Sequence, residues 1–324
     1  MRIPRSRILA PVALAILVGA PAAGQDANIM LPVDSIERLL REAPFDIVHI
    51  RGSRTDGDRT SRATLSFADG TVLQAQWAAA PPGGEAFNNV PRFEVASYAL
   101  QKLFLEPPDY VVPPTVVRAF PLAWARAEAD EAAPATWSGT ESVLVVLQYW
   151  LFNITSEDVW DEDRFAADTA YARHLADFNV LTYLVRHGDQ NVGNYLVSTD
   201  STNPRVFSVD NGVAFSSEAS DRGHRWRYLR VDRLPAGTVD RLRSVTEADL
   251  AERLETLAQF RVRPDGQLER VPPTENLDEN RGVRRDGGTI QLGLTRREIR
   301  EVRDRIEELI RDVDGGDLQI MRPR

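Results

Sequence analysis

The sequence contains no cysteine, and among its 39 basic residues only Lys102 is a lysine. Without cysteine there is no disulfide framework, no thiolate-ligated zinc or iron–sulfur centre and no thiol nucleophile. With one lysine, chemistry that depends on an amine is confined to one position. The four histidines, His49, His174, His187 and His224, are scattered and predict no histidine metal cluster. Positive charge is in deficit: 48 acidic residues leave a formal charge of −9 over 324 residues. That balance argues against nucleic acid as a partner. Long apolar runs are missing too, since the stretch from Ile8 to Ala20 contains Pro11 and is too short for a comfortable membrane span.

That stretch follows Arg2, Arg5 and Arg7 and precedes the small residues Ala22, Ala23 and Gly24. The pattern predicts a signal peptide over residues 1–24, cleaved before Gln25, and no cysteine follows that could carry a lipid anchor. The expectation is an exported protein, periplasmic or secreted, with no integral membrane span after cleavage. Its 43% of apolar residues suffice for a substantial core.

Residues 33–43 have the spacing of a short amphipathic helix within an N-terminal extension, 25–44. The period then changes to that of strands at Asp46–His49, Ala63–Phe67 and Thr71–Trp77, with a tight hairpin at Ala68-Asp69-Gly70. A helix is predicted over 92–105. Pro107, Pro108, Pro113 and Pro114 mark extended structure. The apolar run 142–151 reads as a central strand and 166–186 as a long helix. Two short strands follow at 195–198 and 206–209, and Trp150, Trp160 and Trp226 read as packing residues. Capping boxes at Thr246…Asp249 and Thr295…Glu298 open two C-terminal helices. This order predicts an α+β fold of two lobes around a cleft. A β-rich lobe with one large helix spans 45–141, and a linker strand with a helical lobe spans 142–324.

The chemistry concentrates in RHGDQNVGNYLVSTDSTNPRVFSVDNGVAF, residues 186–215. Asp189 and Asn194 are five residues apart on a loop, and Asp210 ends the second of the two strands that follow. Taken singly, Asp, Asn and Gly are ordinary turn residues. A strand–turn–strand hairpin, however, brings its two ends together, so Asn194 and Asp210 can share a hard cation through oxygen ligands while Asp189 stands close by as a carboxylate base. A plain carboxylate hydrolase is disfavoured, because these acids come with an asparagine rather than as two facing carboxylates.

The segment resembles the catalytic and metal-binding segments of the protein-kinase-like fold. His187-Gly188-Asp189 resembles His-Arg-Asp, and Asp210-Asn211-Gly212 resembles Asp-Phe-Gly. The loop from Asp189 to Asn194 is similar to those of atypical branches: phosphatidylinositol 3/4-kinase-like proteins, HipA-like kinases, and secretory-pathway Golgi casein kinases with their CotH relatives. The resemblance implies Asp189 as catalytic base, Asn194 and Asp210 as metal ligands, and Glu94 as the acid of the first large helix. It implies ATP or another nucleoside triphosphate with Mg²⁺ or Mn²⁺ as cofactor, and a protein, glycan or small molecule as acceptor. On the third strand, where such folds carry a phosphate-binding lysine, TVLQAQWAAA offers Gln76 or Ala78. Either an arginine of the first hairpin (Arg51, Arg54, Arg59 or Arg62) replaces it, pointing into the cleft toward Glu94, or the chain is a pseudokinase that serves as a binding scaffold.

Overall fold

The structure is a computed structural model that describes residues 27–52, 60–87, 89–189, 192–215 and 226–321. The expected signal peptide, Arg54, Arg59 and His224 lie outside the described residues. Helix α1 (Val33–Glu42) leads into a five-stranded antiparallel sheet. Its strands are β1 (Phe45–Gly52), β2 (Thr60–Phe67), β3 (Val72–Ala79), β4 (Thr115–Pro121) and β5 (Ser142–Tyr149), in the order β1-β2-β3-β5-β4. Helix α2 (Pro91–Gln101) lies between β3 and β4, and α3 (Leu122–Glu128) between β4 and β5.

The two-residue period of the strands decides what each face carries. Leu73, Ala75 and Trp77 turn to one side with Leu65, Leu147 and Val116, all buried. Trp77 meets Phe120 at 4.9 Å between ring centroids, and Phe120 stacks on Trp124 of α3 at 5.0 Å. On the other side, cross-strand pairing aligns Arg51, Arg62, Gln76, Gln148 and Thr115 in one row. This polar row is the edge of the open half of that face.

The expectation that 142–151 crosses between lobes needs correction. Strand β5 is an inner strand of the sheet, buried along its whole length, because it has neighbours on both edges and cover on both faces. The chain crosses only after Tyr149. Truncating Leu147, which has no exposed surface, removes contacts in the middle of this layer. Leu147→Ala is expected to cost about 2–5 kcal/mol in denaturant unfolding.

The second lobe begins with β6 (Ile154–Thr155), α4 (Glu162–Ala167) and α5 (Thr169–Leu184). The expected helix over 166–186 is α5, which begins at Thr169 because the Asp168 side chain accepts from the amides of Ala170 and Tyr171 as an N-cap and separates it from α4. Strands β7 (Tyr195–Ser198) and β8 (Val206–Ser208) pair as a hairpin beside β6. Then come β9 (Arg233–Pro235), α6 (Ala236–Ser244) and α7 (Glu247–Leu254). Both capping boxes are formed, at Thr246–Asp249 opening α7 and at Thr295–Glu298 opening the long C-terminal helix.

Between those helices lies a feature that was not expected, since this lobe reads in the sequence as helical. Strands β10 (Ala258–Val262), β11 (Leu268–Val271), β12 (Val283–Asp286) and β13 (Thr289–Leu292) form a separate antiparallel sheet. Helix α8 (Arg296–Gly315) and β14 (Gln319–Met321), parallel to β9, complete the chain. Ala258, Phe260, Leu268, Ile290 and Leu292 pack against Ala80, Val117 and Leu144 of the first lobe. They cover the half of the first sheet's face that the polar row leaves free. No helix among the described residues is long and apolar enough to cross a membrane.

Candidate functional site

A cleft of about 500 Å³ opens between the first sheet and the β6–β8 sheet. Arg51, Arg62, Gln76 and Gln148 form its upper wall, and Asn194 and Asp210 stand opposite. Trp150, Leu151, Ile154 and Leu196 close its linker end with apolar surface. The sequence thus anticipated Gln76, Asn194 and Asp210 in the cleft lining. Gln148 and Trp150 were missed as site residues, although a lone amide at the end of the apolar run SVLVVLQYW was a usable signal.

Hairpin pairing explains why Asn194 and Asp210 meet. Tyr195 is opposite Ser208, and the Val209 amide donates to the Asn194 carbonyl at 2.9 Å, so the residues just outside the hairpin stay side by side. Asn194 is buried and its Nδ2 donates to the Asp189 carbonyl at 3.1 Å, leaving Oδ1 as the oxygen available to a cation. Asp189 is half-buried behind Asn194 and does not line the cleft itself. Asp210 is exposed and holds a left-handed φ of 54°. Arg186 and Phe215, at the two ends of the segment, adopt the same region at 49°. Non-glycine residues in that region are strained and persist only where the surroundings fix them. Here the fixing contacts are Gly188 N to Val213 O and Phe215 N to Val185 O, both at 2.6 Å.

His187 is fully buried; burial drives its pKa down to about 4, so it is neutral. The Tyr195 hydroxyl lies 3.1 Å from His187 Nδ1, which makes this histidine an internal brace of the loop. Burial, and then the Asp189 charge, hold the Tyr195 phenol well above its ordinary range.

Glu94 is 7% exposed and faces the Asp210–Gly212 backbone, accepting from the Asn211 amide at 2.9 Å. Its carboxyl also hydrogen-bonds that of Asp210. Burial first, and the Asp210 charge second, push Glu94 up to about 8, against the pull of the Asn211 and Gly212 amides. Two carboxyls this close require either a shared proton or a cation between them. Among the described residues no group of three or more His, Asp or Glu side chains gathers at a metal-binding distance. A cation here would therefore rest on Asp210, Glu94 and the Asn194 amide oxygen, with phosphates and water filling its shell, the mode in which Mg²⁺ commonly binds.

The lysine question resolves away from the cleft. Lys102 Nζ lies 2.5 Å from Glu37 Oε2 of α1, and the Tyr98 hydroxyl donates to the same oxygen at 2.9 Å. Of the four expected arginines, Arg51 and Arg62 are among the described residues, and both line the cleft without an ion pair to Glu94. Arg62 lies over the Trp150 ring, 5.2 Å from its centroid, at the linker end. The register explains this, because Arg62 pairs with Gln76, and Gln76 with Gln148, one residue short of the end of β5.

This two-lobed arrangement is the protein-kinase-like fold. The structure is similar to that of hydra Fam20 solved with sugar, with a TM-score of 0.52 at 12% identity over 89% of this chain and 92% of that one. It is similar to the Golgi casein kinase, with a TM-score of 0.51 at 12% identity over 88% of this chain and 76% of that one. The same kinase with Mn/ADP bound matches at 0.51 and 13% identity, over 88% and 76% of the two chains. No protein-family model and no curated protein matches the sequence.

Proposed function

We propose that this chain is an exported kinase-like phosphotransferase that moves a phosphoryl group from a nucleoside triphosphate to a protein, glycan or small-molecule acceptor. The observation that carries this reading is that Asn194, Asp210 and the Arg51–Arg62–Gln76 row face one cleft. Support comes from the similar fold of a kinase solved with Mn/ADP bound. Asp210, Glu94 and Asn194 would hold Mg²⁺ or Mn²⁺, which supplies neutralisation of phosphate charge. Arg51 and Arg62, which have no acidic partner among the described residues, meet the phosphates through planar guanidinium donors. The apolar linker end with Trp150 and Leu196 receives the base. Asp189, which stands next to the cleft lining rather than in it, takes the acceptor's proton where the acceptor hydroxyl enters past Asn194.

Thermal unfolding with ATP and either Mg²⁺ or Mn²⁺ tests this. At ligand well above its Kd the melting temperature is expected to rise by roughly 5 °C or more, and neither component alone should reproduce the rise. No shift under any combination would remove nucleotide binding from the account.

One observation favours a second reading, the pseudokinase scaffold: Lys102 is committed to Glu37, and Glu94 faces a backbone amide where a cationic side chain is expected. On that reading Asp189→Ala leaves the biological role intact. Loss of the role with the fold preserved returns the account to catalysis.

A further inference from the structure

We infer that Arg92 is the positioning residue of this site, fixing Glu94 against Asp210–Gly212 by anchoring α2 to helix α8 of the other lobe. The inference rests on the phosphotransferase reading only in assigning Glu94 to the metal and phosphate end of the cleft. The N-cap and first turn of α2 touch the 210–212 segment twice, through Val90 N to Gly212 O at 3.2 Å and through Asn211 N to Glu94 Oε2 at 2.9 Å. Pro91 at the first position marks where that helix starts, but no side chain caps it at Val90, so nothing local holds its first turn against the other lobe. The anchor is the residue between the two contacts.

Arg92 is 8% exposed. Its Nη1 and Nη2 donate to the two oxygens of Glu298 at 2.7 and 3.0 Å, and Nε donates to Glu85 at 2.8 Å. Nη1 also reaches the Gly293 carbonyl at 3.3 Å. Burial works against the charge, but Glu298 and Glu85 outweigh it and hold the guanidinium above its ordinary pKa. Glu298 is itself held, since its Oε2 accepts from the Thr295 amide at 2.7 Å in the capping box of α8. The chain at Gly282 passes so close that a Cβ there would lie 2.0 Å from Arg92 Nε. Gly282 has no left-handed φ, so its glycine serves space rather than backbone conformation. A buried pair of this kind adds little net stability over apolar packing but fixes one geometry, because the forked donor matches a carboxylate in a single orientation.

The test uses Glu298→Gln, which keeps a residue able to complete the capping box, and Gly282→Ala, which expels the guanidinium. Hydrogen exchange of the Asn211 and Gly212 amides is read against that of β5, together with affinity for Mn²⁺–ATP. In both variants the Asn211 amide is expected to exchange on the order of tenfold faster while β5 is unchanged. Mn²⁺–ATP affinity should fall by about the same factor. In an Arg92→Ala background, Gly282→Ala should add less than about twofold, since the group it displaces is gone. Unchanged Asn211 exchange in a folded variant overturns the proposal, as does acceleration spread equally over β5. If the wild-type chain binds no Mn²⁺–ATP, the phosphotransferase reading fails by itself, and the exchange data still decide the role of Arg92.

Discussion

Asp210→Asn is expected to lower nucleotide-dependent phosphoryl transfer by roughly 10³-fold or more while leaving the protein at least as stable as wild type. The two effects have separate causes. Asparagine keeps the shape of the side chain, and Asp210 is exposed, so packing around it changes little. What disappears is one negative charge beside the cleft and beside Glu94. Phosphoryl transfer depends on positioning and charge neutralisation, and on the proposed reading Asp210 carries the largest share of cation binding. The same charge penalises the apo protein, since it helps push the Glu94 carboxyl up to about 8. Radiolabel transfer or coupled nucleotide turnover, measured beside a thermal melt, separates the two. Full activity in Asp210→Asn would remove this residue from the mechanism, and a parallel loss of activity and melting temperature would mean that it is structural.

Much of this architecture can be read from local signals in the sequence. Thr246, Asp249, Thr295 and Glu298 announce two helix starts because capping is decided within four residues. The hairpin after Asn194 is equally local: two short apolar strands and a polar turn suffice to bring Asn194 and Asp210 to one end. The β10–β13 sheet escaped because its strands are four or five residues long and carry Arg261, Glu269, Arg270, Arg284 and Arg285 in place of a clean alternation. Its apolar positions make sense only against Val117 and Leu144, more than a hundred residues away. For the same reason α2 stops at Gln101, short of the expected 105. Gln101 turns its amide to the 111–112 backbone, accepting from both amides at 2.8 and 2.9 Å and donating to Val112 O.

The site shows the same division. Residue types and spacing within 186–215 were informative, whereas the partner of Glu94 was not. A glutamate on a helix can face solvent, a cationic side chain or a backbone amide, and the contacts that bring the Asn211 amide to it here, from Val90 and Arg92, join residues more than a hundred positions apart. Arg62 illustrates the converse. Its presence in the cleft follows from the hairpin, but its seat over Trp150 depends on a register that no short motif encodes.

Asp177→Asn is expected to stabilise the protein at alkaline pH, and the sign follows from its surroundings. Asp177 lies on α5, 2% exposed, beside a second cavity of about 420 Å³. Thr238 Oγ1 donates to its Oδ1 at 2.6 Å. The charged groups around it are Asp109, Arg173 and Arg241. Burial dominates and pushes its pKa up to about 7 from 3.8, outweighing Thr238 and the two arginines, while Asp109 adds to the rise. A carboxyl with a raised folded pKa keeps its proton longer in the folded state. Between about pH 3.8 and pH 7 the folded chain therefore holds a proton that the unfolded chain has released, and stability falls as pH rises through that window. Above pH 7 the loss is complete and constant. Asparagine never ionises, and its Oδ1 can still accept from Thr238. The variant should gain about 2–4 kcal/mol over wild type at pH 8, with the difference shrinking toward zero near pH 4. Glu94 acts with the same sign between its ordinary value and about 8, so the stability of the Asp177 variant should still decline toward alkaline pH, with a smaller slope than that of the wild type. Urea titrations of both proteins at pH 4, 6 and 8 measure this. A loss of stability that is equal at all three values would mean that Asp177 is ionised and firmly held by Arg173, Arg241 and Thr238, the opposite of what its burial implies.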